Sequence, residues 1–255
     1  MQKELTTAGG LLGAAIIFAA LIAAYALLTD ATGYLDPMIF PGWGKIIPAA
    51  WGSRDQFYHG IISSLGLLIP SVAAALVAGV TFGVIIGLHP RVKQILLPLF
   101  RAANPLPPTM LIPYAIAVFP SFYLSSTSII FIGVFWPVIM GTLHGVALLE
   151  PRWLDNAQCL NLRGLKLVRK VVLPGAMPSI FAGIGSGLIF SFILLTVAEM
   201  FGATAGLGYF VQYYADFAEY DRVIGGMIFL SVVVIAIMVI FDRVQNRVLH
   251  WTKKR

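Results

Sequence analysis

The chain has 255 residues, of which 59% are hydrophobic and only 11% are charged, and its mean hydropathy is +0.89. A soluble domain usually carries about 25% charged residues, so this composition excludes a soluble enzyme, a secreted disulfide scaffold and a disordered chain. The formal net charge of +6 could suggest a nucleic-acid partner. However, the cations flank long uncharged stretches, where they orient a membrane protein and meet anionic lipid, so we expect no nucleic-acid binding.

Five stretches of 19 to 48 residues contain no Asp, Glu, Lys or Arg. A helix that crosses a bilayer needs roughly 20 apolar residues. The longest stretch, 102–149, would make a helix of about 72 Å and must fold back, with a turn near Phe119-Pro120-Ser121. We therefore predict an all-α polytopic membrane protein. Its single transmembrane domain, 1–255, would have six transmembrane helices at about 8–29, 58–88, 96–118, 126–148, 175–199 and 223–245.

The basic residues are distributed unequally between the two sides of this six-span layout. Fourteen of the 17 fall on the side that carries both termini and the loop 149–174, and three fall on the other side, namely Lys45, Arg54 and Arg222. Because loops rich in Lys and Arg stay in the cytoplasm, we expect both termini and this loop to be cytoplasmic. The single cysteine, Cys159, lies in the loop and is expected to stay reduced and semi-buried.

The second predicted span carries three glycines, Gly79, Gly83 and Gly87, at intervals of four. This spacing places them on one helix face, where the missing side chains let another backbone approach closely. We expect helix packing at this face, with the lining of a solute path as the alternative.

The third predicted span begins with the segment Asn104-Pro105-Leu106-Pro107-Pro108. A regular helix cannot accommodate it, because each proline lacks an amide donor. Irregular backbone in a membrane is tolerated only against protein or a water-filled cavity. Pro107 and Pro108 are therefore candidates for a pathway through the protein.

The predicted cytoplasmic loop begins with an amphipathic segment. Pro151 is favourable just inside a helix start, where its missing donor would be unpaired anyway, and Asn161 suits the helix end because asparagine tolerates the left-handed conformation. The apolar face of this segment comprises Trp153, Ala157 and Leu160. We interpret it as a docking helix whose apolar face needs a groove that no other part of this chain supplies. A basic piece follows and ends at Leu173-Pro174-Gly175.

Glu199 ends the fifth predicted span on its outer side. A carboxylate within a membrane marks a functional site by default, although its cost falls near the interface. Glu199 is therefore a candidate for the pathway or its gate, with a solvated or paired helix end as the alternative. The following segment, 202–220, is too polar to span and too apolar for a free loop, which predicts a short re-entrant or interfacial helix.

At the cytoplasmic loop the chain resembles the membrane subunits of ATP-binding-cassette (ABC) importers that work with a binding protein. Their coupling helices carry Glu-Ala-Ala, then Gly after three residues, and a Leu-Pro pair further on. Here Asp155-Asn156-Ala157 stands in the place of Glu-Ala-Ala, Asn161 in the place of Gly, and Val171-Val172-Leu173-Pro174 follows at the matching spacing. Asp155 keeps the charge but is one methylene shorter, and the two asparagines are larger than the residues they replace.

Within that family the chain is most similar to the nitrate, taurine and aliphatic-sulfonate branch, over roughly residues 57–250. The matching stretches are Leu173-Pro174-Gly175-Ala176-Met177-Pro178-Ser179-Ile180, Ala198-Glu199-Met200, Gly206-Leu207-Gly208-Tyr209 and Pro105-Leu106-Pro107-Pro108. The resemblance implies a type I ABC importer-like permease of the bacterial inner membrane. It assigns coupling to the ATPase to Trp153, Asp155, Asn156, Ala157, Leu160, Asn161, Leu173 and Pro174.

The resemblance also implies the partners. A second permease copy would complete the pathway, two ATPase subunits would bind ATP and Mg, and an extracytoplasmic solute-binding protein would deliver a small nutrient such as nitrate, sulfonate or taurine. The sequence itself contains no P-loop motif, so we expect neither an enzyme nor a cofactor of its own. An ion-coupled secondary carrier or a channel is the alternative, although carriers usually place ionisable residues within their spans. An intramembrane enzyme is a third, less favoured reading, because the four histidines are scattered along the chain.

Overall fold

The computed structural model describes residues 2–103 and 107–252. The predicted irregular residues Asn104, Pro105 and Leu106 and the terminal cations Lys253, Lys254 and Arg255 lie outside the described residues. Every regular element in the described part is helical, as the sequence predicts. The α-helices are α1 (Gln2–Ala26), α2 (Trp43–Gly52), α3 (Arg54–Leu88), α4 (Pro90–Ala103), α5 (Ile112–Val118), α6 (Phe122–Ala147), α7 (Pro151–Cys159), α8 (Leu165–Leu167), α9 (Leu173–Gly202), α10 (Leu207–Asp216) and α11 (Tyr220–Val248).

Four helical stretches in the described part are long and apolar enough to cross a membrane. Three of them are α3, α6 and α11, and the fourth is the continuous stretch Leu165–Gly202, in which a π-helical turn (Val168–Val172) joins α8 to α9. Two shorter apolar helical segments, Ala15–Ala31 and Pro108–Val118, overlap the first and third predicted spans. The all-α polytopic membrane fold is thus confirmed, whereas the count of six crossings stays a prediction.

The third predicted span, 96–118, is not one continuous helix. Its first part belongs to α4, and its last part consists of a 3₁₀ turn, Pro108–Leu111, followed by the seven-residue α5. Pro107 is extended, with φ −67° and ψ 118°, because prolines remove the amide donors that a continuing helix needs. The predicted turn after this span is present, since Phe119 is extended and the Ser121 side chain caps α6 by accepting a hydrogen bond from the amide of Leu124.

The chain forms two compact units, of which the larger comprises residues 59–209 and 230–255. Its core is α6, which packs against glycine rows on two neighbours. The α3 row meets side chains spaced four apart on α6, so an added Cβ at Gly79, Gly83 or Gly87 would lie within 3 Å of Val138, Thr142 or Val146, respectively. The packing role predicted for these glycines is therefore confirmed. On the other side, Gly141 and Gly183 bring the backbones of α6 and α9 into contact.

The smaller unit comprises residues 1–58 and 210–229 and is built around aromatic rings. Phe57 stacks on Phe229 with ring centroids 4.3 Å apart and also contacts Phe210. Arg222 donates a hydrogen bond of 2.7 Å to the hydroxyl of Tyr214 and lies over its ring. Stacked and cation–π contacts of this kind stabilise a unit that has few long helices of its own.

Candidate functional site

Helix α7 begins where the sequence predicts. Pro151 is its first residue, and Glu150 precedes it in an extended conformation, with φ −64° and ψ 130°. The Glu150 carboxylate accepts a hydrogen bond from the Arg152 guanidinium, which lowers the pKa of the Glu150 carboxyl. The pair is exposed to solvent, so it contributes little to stability.

The end of α7 also follows the prediction, and the geometry explains the residue found there. Asn161 has a left-handed φ of +52°. Its amide donates to the carbonyl of Gln158 over 2.8 Å, while the amide of Leu162 donates to the carbonyl of Ala157 over 2.9 Å. These two bonds form a Schellman motif, the helix ending that favours Gly and then Asn at the left-handed position. Asn161 can therefore take the place of the glycine in the motif without a change of backbone.

The apolar face of α7 packs partly against the beginning of α9. A groove of about 370 Å³ lies between them, lined by Trp153, Asn156, Ala157, Leu160, Leu162, Lys170, Val171, Pro174, Gly175 and Trp251. Gly175 lets the Trp153 ring approach closely, since an added Cβ would lie 3.0 Å from its Cζ3 atom. The prediction that no other part of this chain covers this face is wrong, because the apolar pattern of α7 shows which face is apolar and not that the beginning of α9, which is separated from Cys159 by 13 residues, lies against it.

The predicted coupling residues divide into three groups. Five of them line this groove, namely Trp153, Asn156, Ala157, Leu160 and Pro174. Leu173 instead packs on a buried cluster that contains Val172 and Ala176 and so fixes the base of the loop. Asp155 is exposed outside the groove, and Asn161 ends the helix.

The exposed fractions of the side chains show which part of the α7 surface remains accessible. Ala157 is buried at 2%, whereas Trp153 is 43% exposed and Leu160 is 72% exposed. An exposed leucine and a half-exposed tryptophan beside an exposed aspartate form an apolar surface with one acidic edge. Five residues of the groove were not among the predicted coupling residues, namely Leu162, Lys170, Val171, Gly175 and Trp251. Lys170 could have been found from its position four residues before Pro174, but no sequence signal connects Trp251 to α7.

The Glu199 side chain lies in a hydrogen-bonded cluster that shares no residue with the α7 groove. It is only 1% exposed, and the Ser64 hydroxyl donates to its Oε1 atom over 2.6 Å. The amide of Gly208 donates to Oε2 over 2.7 Å, and the amide of Leu207 donates to the Ser64 hydroxyl over 3.0 Å. Glu199 is therefore paired rather than solvated at its helix end, and its role in the pathway or its gate stays a prediction.

Pro107 and Pro108 line a third feature, an apolar cavity of about 540 Å³ on the side of α6. Its other residues are Met110, Leu111, Phe131, Ile132, Phe135 and Trp136. The two prolines thus lie next to aromatic rings of α6, apart from both the α7 groove and Glu199.

The long apolar helices and the short amphipathic helix α7 between two of them define a polytopic membrane protein. Residues 79–254 match the family described as the inner membrane component of binding-protein-dependent transport systems, and the chain belongs to this family. Membership in this family identifies the chain as an importer subunit and excludes the carrier, channel and enzyme alternatives. The chain is a non-catalytic membrane subunit, and ATP is hydrolysed on a separate ATPase subunit of the transporter.

Two relatives and one solved structure show how far the similarity extends. The taurine transport system permease protein TauC of Escherichia coli (strain K12) is 30% identical over 194 residues, covering 76% of this chain and 70% of the relative. The nitrate import permease protein NrtB of Leptolyngbya laminosa is 26% identical over 215 residues, covering 80% and 77%. A chain of the MetNI methionine ABC transporter in an inward facing conformation superposes with a TM-score of 0.59 at 18% identity, over 77% of this chain and 98% of that chain. The last similarity concerns the fold.

Proposed function

We propose that this chain is one of two identical permease subunits of an ATP-driven importer and that α7 is the helix through which it contacts its ATPase. The observation that carries the proposal is the surface of α7, on which Leu160 is 72% exposed and Trp153 is 43% exposed. An apolar surface of this kind on a short helix between two spans is suited to a groove on a partner. Asp155 at its edge is available to a basic side chain of the ATPase.

The attachment of α7 to the rest of the chain supports a role in transmitting movement. Ala157 is buried and lines the groove together with Pro174 and Gly175 of α9. Leu154 and Leu173 both pack on the cluster around Val172. Because close-packed side chains resist separation, a displacement of α7 would carry the beginning of α9 with it. In the proposed mechanism, closure of the two ATPases on ATP brings the two α7 helices together and reopens the pathway outward.

Co-purification with the ATPase tests the docking surface. We expect Asp155→Lys and Leu160→Glu, combined in one variant, to abolish recovery of the ATPase with the permease. Leu165→Glu is the matched control, because Leu165 is 71% exposed in the same loop but does not line the groove. An intact complex with full transport in the double variant would contradict the assignment of α7.

We also propose the six-span topology with cytoplasmic termini, which the asymmetry of lysines and arginines supports. Cys159 is the single cysteine of the chain. The prediction that it is semi-buried is wrong, because it is exposed at the end of α7, and it can therefore report the side of this helix directly. A membrane-impermeant maleimide should leave Cys159 unlabelled in intact cells and label it after permeabilisation. Tyr34→Cys, at a residue that is 85% exposed in the opposite predicted loop, should react in intact cells when combined with Cys159→Ser. The reverse pattern would overturn the orientation.

The solute we propose is a small anionic or zwitterionic nutrient such as nitrate, a sulfonate or taurine. Support comes from the relatives, whose names give taurine and nitrate as transported solutes. Pro107 and Pro108 remain our candidates for the pathway wall. Calorimetric titration of the solute-binding protein that partners this chain with nitrate, taurine and an alkanesulfonate would identify the solute. Native mass spectrometry of the assembled transporter would give two permease and two ATPase subunits if the pair is a homodimer.

A further inference from the structure

Glu199 joins three segments of the larger unit through its two carboxylate oxygens. It lies near the end of α9, its Oε1 atom is held by Ser64 on α3, and its Oε2 atom is held by the amide of Gly208 at the beginning of α10. Ser64 closes the arrangement by accepting from the amide of Leu207. We refer to Ser64, Glu199 and the amides of Leu207 and Gly208 as the carboxylate clamp.

The backbone of the loop before α10 is shaped to fit this carboxylate. Gly206 has a φ of +140°, and a Cβ there would lie 2.6 Å from the Oε2 atom of Glu199. A Cβ at Gly208 would lie 2.5 Å from the carbonyl oxygen of Thr196. Both glycines are therefore needed for the loop to reach the carboxylate, and the Ser63 hydroxyl adds a further bond of 3.2 Å to the carbonyl of Ala205.

Hydrogen bonds to a carboxylate are stronger and more directional than those between neutral groups. Burial makes them costly to break, because a carboxylate left without donors in an apolar surrounding is expensive. The bonded clamp is therefore costly to open, and its segments should move together as long as it is bonded. A hydrophobic contact at the same place would allow the loop to slide.

The helix that carries Glu199 also carries one wall of the α7 groove. The continuous stretch Leu165–Gly202 has 38 residues, which corresponds to a length of about 57 Å. Near one end, Lys170, Val171 and Pro174 line the groove, and near the other end Glu199 holds the loop and α3. A displacement at the groove thus reaches the clamp through a single helix.

We infer that Glu199 is a positioning residue that makes the loop 203–208 and the beginning of α10 follow α9 during the transport cycle. This inference rests on the proposed function, because it requires α7 to be driven by the ATPase. In the proposed orientation the clamp lies at the outer side, where the solute-binding protein approaches. Docking of that protein would thereby displace α9 through the clamp, and the same helix would carry the ATP-driven displacement of α7 to the outer side.

The test uses the complete transporter, with ATPase subunits and binding protein, reconstituted in liposomes. Basal ATPase activity should persist in Glu199→Ala and Ser64→Ala, because α7 is untouched. The stimulation of ATPase activity by the binding protein and the transport rate should fall by about tenfold, as expected from the loss of a hydrogen bond to a buried carboxyl group. Glu199→Gln, which keeps one acceptor oxygen, should fall between these variants and the unmodified protein.

Two substitutions of the same chemistry serve as controls. Ser186→Ala removes a hydroxyl of α9 that bonds to the carbonyl of Ala182 in its own helix, and Asp242→Asn removes an exposed carboxylate of α11. Both should leave stimulation and transport unchanged. Normal stimulation and transport in Glu199→Ala would overturn the inference while leaving the docking role of α7 intact. Absence of the ATPase from the unmodified complex would instead overturn the proposed function.

A covalent replacement distinguishes positioning from general stability. Ser63→Cys and Ala205→Cys introduce one thiol on each of the two residues that the Ser63 hydroxyl now joins, in a Cys159→Ser background. Oxidation of this pair in Glu199→Ala should restore the stimulation by the binding protein, and reduction should remove it again. If the Glu199→Ala complex does not assemble, the same measurement is made in Ser64→Ala. Failure of the formed disulfide to restore stimulation contradicts the inference in either background.

Discussion

The contact between α6 and α9 predicts a sharp difference between two glycine-to-alanine substitutions. At Gly141 an added methyl would lie 2.7 Å from the carbonyl oxygen of Ser179 and 2.9 Å from the Cα of Gly183. Both are backbone atoms and cannot turn aside as a side chain would. Since ordinary van der Waals contact begins at 3.4 Å, the helices must separate by up to about 0.7 Å.

The magnitude follows from two opposing terms. Replacing glycine by alanine within a helix gains about 1 kcal/mol, whereas overpacking a close contact costs about 1–3 kcal/mol. Gly66 of α3 is the matched control, because an alanine there gains the same helix propensity and its methyl meets nothing within 4 Å. The difference between Gly66→Ala and Gly141→Ala therefore isolates the packing cost. At about 2–4 °C per kcal/mol for a chain of this size, Gly141→Ala should melt roughly 2–12 °C below Gly66→Ala.

The assay is thermal unfolding in detergent, followed by tryptophan fluorescence, with both variants and the unmodified chain in the same detergent. Gly183→Ala, whose methyl would lie 2.6 Å from the carbonyl oxygen of Pro137, should behave like Gly141→Ala. Equal melting temperatures for Gly66→Ala and Gly141→Ala would refute the reasoning, because the contact between the two backbones would then tolerate a methyl group at no cost.

Three further outcomes follow from the loop and the clamp. Asn161→Gly should keep ATPase binding and stability, whereas Asn161→Val should lose about 1–2 kcal/mol, because a β-branched residue resists the left-handed conformation; thermal unfolding and co-purification check both, and equal stability of the two variants would contradict the helix ending described. Gly206→Ala should lower the melting temperature, because the added methyl group strains the backbone by about 1–3 kcal/mol. It should also lower the stimulation of ATPase activity by the binding protein, whereas the control Asp242→Asn should leave this stimulation unchanged. The Glu150 carboxyl should titrate below its ordinary pKa, since Arg152 stabilises the charged form, so the pair is present above that pKa and is lost as the pH falls through it. Carbon-13 NMR of labelled glutamate should show the pKa of Glu150 rise in Arg152→Gln, and an unchanged value would contradict the pairing.

Local signals in the sequence were sufficient for the boundaries of α7. Pro151 and Asn161 act through their own backbone geometry, so their effects could be predicted without knowing any neighbour. The spacing of Gly79, Gly83 and Gly87 likewise predicted close packing. It could not identify the partner, because the facing side chains of α6 are about sixty residues further along the chain.

Contacts between residues far apart in the chain could not be predicted from the sequence. Glu199 was predicted as a functional position, but its partner Ser64 is separated from it by 135 residues. The covering of α7 by the beginning of α9 was missed because an amphipathic pattern shows which face is apolar and not what covers it. Prolines interrupt the third predicted span. The sequence predicted their effect on the backbone, but the span was still predicted as one segment.

The π-helical turn Val168–Val172 has a consequence for insertions and deletions in the loop. A π turn holds one more residue than an α turn, so deleting one residue here would convert it to regular α-helix. Each residue of an α-helix turns the chain by about 100°, and the loop would then meet α9 on a different face, away from Pro174 and Gly175. The length of this segment should therefore be inherited as strictly as any single side chain in it. Variation in loop length is expected to accumulate elsewhere in the chain.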